Sequence, residues 1–210
     1  MMTVLLPRRA VLSAMAGFVL LAGVARAEQP SGPSAPIAAM VAGLSALEKK
    51  DKGTPFLDRY HGLEPLIDQA FNLPHILQTV VGLRWASLPQ DQKDRLATVF
   101  RAFTVASYVA NFSFGGDTVQ MLPETRTAGT DTIVETQILS QGSAPTRVDY
   151  AMRQGTSGWQ AVDVLLEGTI SRVAVQRSDF RSLLEGGSAQ PLIDSLERKV
   201  ADLSGGTLRP

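Results

Sequence analysis

The chain has 210 residues, enough for one ordinary domain, with a mean hydropathy near zero that fits a packed core. Twenty basic residues balance twenty acidic ones, so there is no electrostatic footprint for nucleic acid. Cysteine is absent, which excludes a disulfide framework, a thiol nucleophile and a lipidated N-terminal cysteine.

Residues 1–27 read as a cleaved export signal: Arg8 and Arg9 form a basic start, Ala10 to Val24 an apolar run, and Ala25-Arg26-Ala27 a small-x-small cleavage site. The run of 15 residues is shorter than the roughly 20 that span a bilayer. The paired arginines fit either the general secretory route or the twin-arginine route. Cleavage after Ala27 takes Arg8, Arg9 and Arg26 and no acid, leaving 17 basic and 20 acidic residues, a net charge of −3. The expectation is a soluble periplasmic protein. Residues 28–36, rich in Pro, Gly and Ser, read as a flexible leader to a single domain over 37–204.

The domain opens helically. Ile37, Met40, Val41, Leu44 and Leu47 recur at steps of three and four, and Lys49 to Thr54 breaks the pattern. Tyr60, Leu63, Ile67, Ala70 and Phe71 restore it as far as Pro74, and a short helix follows over Pro74 to Val81. Ser87-Leu88-Pro89-Gln90 reads as a cap, with Ser87 at the N-cap of a long helix over about 89–112. That helix carries Phe100, Phe103, Tyr108 and Phe112, beside Leu96, Val99 and Ala106.

After Gly115-Gly116 the period becomes two. Val119 and Met121; Val134, Thr136 and Ile138; Val148, Tyr150 and Met152; and Val162, Val164 and Leu166 each share one strand face. Glu135, Gln137, Arg147, Asp149, Arg153 and Asp163 take the other. The last segment returns to helix, with one stripe from Ile170 through Val173, Ala174, Phe180 and Leu184, and another through Leu192, Ile193, Leu196 and Val200. The fold class is α+β: helices on one face of a curved antiparallel sheet of about four strands.

Catalytic and metal motifs are missing. His61 and His75 have no second ligand at metal spacing, and there is neither a phosphate loop nor a nucleophile turn. Asp149, Tyr150 and Asp163 are the best enzyme candidates, since an aspartate in an apolar pocket can serve as a general base. Alternation places both aspartates on the polar face, where pairing with Arg147 or Arg153 is the simpler reading. What remains is a large apolar surface between the long helix and the sheet. Periodicity does not separate a filled core from a hollow one.

Gly82-Leu83-Arg84-Trp85 with Ser87, Val148-Asp149-Tyr150, Gly158-Trp159 with Asp163-Val164, Glu167-Gly168-Thr169-Ile170-Ser171 and Arg177-Ser178-x-Phe180 follow one another between Tyr60 and Leu196. In order and spacing they resemble the MlaC family of periplasmic phospholipid carriers, and the stretch Asp163 to Phe180 is similar to a hopanoid-associated subgroup, HpnM. One departure is that Phe71 is followed by Asn72, where the family commonly has an aspartate. The resemblance implies a lipid carrier without catalytic groups or cofactor, binding a phospholipid or hopanoid in an apolar cavity. Its lining would come from Trp85, Phe100, Phe103, Tyr108, Phe112, Val134, Ile138, Val148, Tyr150, Val162 and Val164. It further implies a monomer that docks on an inner-membrane ABC transporter complex and on an outer-membrane lipoprotein complex. A cone-shaped α+β enzyme for a small apolar substrate, and a periplasmic adaptor that binds no lipid, are the alternatives.

Overall fold

The structure, a computed structural model, describes residues 32–48, 53–111 and 117–210. The export signal, Lys49 to Lys52, Phe112 and Gly115-Gly116 lie outside the described residues. Helix α1 (Ser34–Glu48) begins three residues earlier than the hydrophobic stripe, so Ser34, Ala35 and Pro36 form its first turn and do not extend the leader. Proline is tolerated there because its missing N–H has no helical acceptor in the first turn. Helices α2 (Phe56–Ala70) and α3 (Leu73–Val81) follow.

Asn72 separates α2 from α3. Its side-chain oxygen accepts the His75 N–H at 3.1 Å, capping α3, while its own N–H donates to the Ala161 carbonyl at 3.0 Å. The helix pair is thereby pinned to the sheet. Gly82 ends α3 at φ +68°, a conformation costly for residues with a Cβ. A 3₁₀ turn, Gly82–Ser87, leads into α4 (Gln90–Asn111). Ser87 does not cap α4: its hydroxyl donates to the Arg84 carbonyl at 2.9 Å, closing the 3₁₀ turn, and the helix starts after Pro89. Arg101 ties α4 to α2 through a bidentate pair with Asp68 and a contact to Glu64.

Five antiparallel strands run in the order β1 (Thr118–Ala128), β2 (Asp131–Leu139), β3 (Thr146–Gly155), β4 (Gly158–Leu166) and β5 (Ile170–Ser171). The fifth strand is two residues long and takes in Ile170, which the helical stripe assigns to the following helix. The ladder between β1 and β2 shifts register between Met121 and Thr125, around Pro123, which has no N–H to give. A second bulge falls between Ala151 and Met152 opposite β4. Helices α5 (Arg172–Phe180) and α6 (Gln190–Leu203) complete the fold, with the 3₁₀ turn Ser182–Leu184 between them. Leu192, Ile193, Leu196 and Val200 of α6 are buried, as their stripe predicts.

The main core lies between the helices and the sheet face that carries Val134, Val148, Tyr150 and Met152. The other face is not uniformly polar. Ile133, Ala151 and Val162 form a small buried cluster there, beside a group of charges. Asp149 is fully buried and pairs with Arg147 at 3.0 Å and Arg126 at 3.5 Å, while both arginines also meet Glu135. Gly168, at φ +71°, lets the β4–β5 turn lie on this group: a Cβ would sit 3.2 Å from Arg147 Nε, and Arg126 donates to the Gly168 carbonyl at 3.0 Å.

Candidate functional site

Pairing of Val148 with Leu166 and of Tyr150 with Val164 places these four on one sheet face, and Ile138 joins them from β2. Helix α4 crosses this face with Phe100, Phe103 and Tyr108 directed toward it, together with Thr104, Ser107 and Asn111. The two surfaces do not meet everywhere. A cavity of about 570 Å³ lies between them, within the roughly 300–1,000 Å³ range of small-molecule sites.

Phe71, Leu73 and Ile76, all buried, close the inner end where α2 passes into α3. Val173 of α5 and Leu203 of α6 complete the apolar walls. Polar side chains collect at the solvent side: Asn111, Arg172, Lys199 and Asp202 are exposed, with Gln176 half-buried. The cavity is thus a sleeve with a greasy interior and a charged mouth.

Among the described residues, Thr104, Ser107, Tyr108 and Tyr150 bring hydroxyls to the lining. Tyr108 and Tyr150 interact electrostatically with each other, and the Phe71 ring lies 5.5 Å from the Tyr108 ring and 6.1 Å from that of Tyr150. Burial pushes the Tyr108 hydroxyl well above its ordinary range, and pushes Tyr150 up to about 12. Both stay neutral at physiological pH.

The two aspartates weighed as catalytic do not line this space. Asp149 is held in the arginine group on the far face. Among the described residues no arginine pairs with Asp163, contrary to the pairing expected from alternation; it serves the start of α5 instead. Its Oδ1 accepts the N–H groups of Val164 at 2.7 Å and Val173 at 3.1 Å, and Ser171 Oγ donates to its Oδ2. Ser171 in turn caps Ala174 N at 2.9 Å. His61 is exposed beside Glu64, and His75 Nε2 lies 3.2 Å from Arg153, whose guanidinium also holds Asp131.

Of the residues expected at a ligand surface, Phe100, Phe103, Tyr108, Ile138, Val148, Tyr150 and Val164 line the cavity. Three do not. Trp85 sits in the 3₁₀ turn under the Lys93 ammonium, 6.0 Å from its ring. Val134 is buried in the main core away from the cavity wall. Val162 lies on the opposite face, because the bulge adds a residue between Ala161 and Val164 and turns it over. Phe112 lies outside the described residues. The expectation omitted the inner-end residues Phe71, Leu73 and Ile76, and all of the contributions from α5 and α6. Leu166 could have been found, since it shares the Val164 face; the rim residues carry no periodic signal.

A protein-family model described as MlaC protein matches residues 39–198. The chain belongs to the MlaC family. Its fold is shared with a phospholipid-binding protein from Ralstonia solanacearum whose structure was solved in complex with a phospholipid. The match has a TM-score of 0.70 at 19% identity, covering 83% of this chain and 99% of that one. No match was found among the curated proteins. Among the described residues, no helix of this MlaC protein is long and apolar enough to cross a membrane.

Proposed function

We propose that this MlaC protein is a periplasmic lipid carrier, which houses the apolar part of a phospholipid or hopanoid between α4 and the sheet. In this reading it moves the lipid between membrane assemblies of an ABC-transporter system, and its exported N-terminus brings it to that compartment. The observation that carries the reading is the apolar cavity. Its inner walls, from Phe71, Leu73, Ile76, Phe100, Val148 and Val164, offer water few polar partners, whereas an apolar chain loses nothing by entering. An apolar occupant fits this space better than water. The phospholipid complex of the Ralstonia protein, on the same fold, supports a lipid as the occupant.

The physical need is plain. Each CH₂ moved from lipid to water costs about 0.8 kcal/mol, so an acyl chain crosses an aqueous gap slowly unless a dry sleeve encloses it. A sleeve needs no nucleophile or general base. Among the described residues, the ionisable side chains in the interior of this one are Tyr108 and Tyr150, whose pKa values burial raises.

The test is transfer of a fluorescent phospholipid from donor to acceptor vesicles by the purified mature protein. Transfer proportional to protein concentration is expected. A rate equal to that of vesicles alone would overturn the carrier reading.

A further inference from the structure

The inner end of the cavity is thin. Beyond it a second hollow, of about 520 Å³, lies between the α2–α3 junction, α4 and the tip of the β3–β4 hairpin. Phe71, Leu73 and Phe100 line both spaces, so a partition one residue deep separates them. All three are buried, at 3%, 7% and 2% exposure. The main chain around the partition is held. The Phe71 N–H donates to the Ile67 carbonyl at 2.9 Å, and Gln160 Nε2 donates to the Phe71 carbonyl at 3.2 Å. Arg101, next to Phe100, is clamped on Asp68. Side-chain bulk therefore sets where the cavity stops. The two spaces also differ in chemistry: Phe100, Val148 and Val164 make the first apolar, whereas Asp68, Thr98, Arg101, Ser157 and Gln160 bring polar groups to the second. Asp68, Thr98 and Ser157 are exposed, so the second space is open to water.

We infer that Phe71, Leu73 and Phe100 form a floor that sets the longest acyl chain the protein carries. This rests on the carrier reading and deepens it from lipid class to chain length. A methylene that moves from a bilayer into the sleeve exchanges one apolar surrounding for another, at little net cost. A methylene that finds no room above the floor meets water, at the mouth or beyond the partition, and lowers uptake about fourfold. Uptake is thus even among short chains and falls steeply past one length. Removing bulk from the partition deepens the dry space and moves that length upward. The second hollow is what allows this, because no further layer of core stands behind the three side chains.

The test offers delipidated protein dioleoylphosphatidylcholine vesicles that carry equal small parts of dilauroyl-, dimyristoyl-, dipalmitoyl-, distearoyl- and diarachidoylphosphatidylglycerol. Bound lipid is read at equilibrium by native mass spectrometry, which resolves the five by mass. Wild-type protein is expected to show a break in uptake at one chain length. Phe100→Ala is expected to move the break to longer chains. Leu73→Ala, which thins the same wall with a smaller loss of core, is expected to do the same and decides the matter if the Phe100 variant does not fold. Ala97→Trp fills the second hollow from behind. Alone it is expected to leave the wild-type break in place, and combined with Leu73→Ala to bring the break back. Uptake by wild type that ignores chain length, folded partition variants with the wild-type break, or a break shortened by Ala97→Trp alone would each overturn the floor and leave the carrier reading intact. Uptake of no lipid by wild type would overturn both.

Discussion

Tyr108 on α4 and Tyr150 on β3 share the Phe71 ring, 5.5 Å from the first and 6.1 Å from the second, across the space between helix and sheet. The two tyrosines also interact electrostatically in a largely apolar interior. Replacing Tyr108 with Phe takes a neighbouring hydroxyl away from buried Tyr150, at an expected cost of about 1–3 kcal/mol. Replacing both removes the Tyr150 hydroxyl as well, so the double variant should be more stable than the sum of the singles predicts. Urea unfolding of the delipidated protein gives the double-mutant cycle.

Tyr150 also sets an alkaline limit. Below pH 10 folded and unfolded chains both hold its proton, and its contribution is constant. Between about 10 and about 12 the unfolded chain releases the proton while the folded one retains it, so rising pH favours unfolding. Stability measured from pH 9 to 12 should fall, and Tyr150→Phe should flatten part of that fall.

Val148 and Val134 separate a hollow from a solid interior. Both are nearly inaccessible, at 7% and 1% exposure, yet only Val148 lines the cavity. Val148→Trp is expected to fill empty space, leave delipidated stability almost unchanged and abolish lipid loading. Val134→Trp is expected to overpack a filled core at about 1–3 kcal/mol. Thermal unfolding of both delipidated variants, beside extraction and quantification of bound lipid, distinguishes them.

Asp163 and Asp149 should prove structural. Asp163→Ala removes the carboxylate that anchors the start of α5 and should cost about 1–2 kcal/mol. Asp149→Ala strands part of an arginine group, but Arg147 and Arg126 are each partly exposed and reach water, so a cost of about 1–3 kcal/mol is expected. Vesicle-to-vesicle lipid transfer by the folded fraction should persist in both.

Much of this molecule was legible as pattern. The stripes of α2, α4 and α6 and the alternation of Val134 to Met152 describe which face of each element is buried, because burial writes its period into the sequence. What pattern does not encode is interruption. The β3–β4 bulge turned Val162 to the far face, and the unfilled gap separates Val148 from Val134 although both read as the same kind of core residue. Ser87 failed as a cap because a 3₁₀ turn claimed its hydroxyl, and Asn72, a departure from the family's usual aspartate, proved to be a working cap. The rim residues Arg172, Lys199 and Asp202 come together only through the packing of α5 and α6 around the mouth.

A carrier must hold lipid in its cavity. Native mass spectrometry of protein released from the periplasm without detergent tests it most directly, with Val148→Trp prepared in parallel. A mature chain beginning at Glu28 that carries one lipid, extractable into organic solvent, is expected, as is a Val148→Trp protein that is folded and empty. Wild-type protein that is lipid-free and takes up none from vesicles would contradict it.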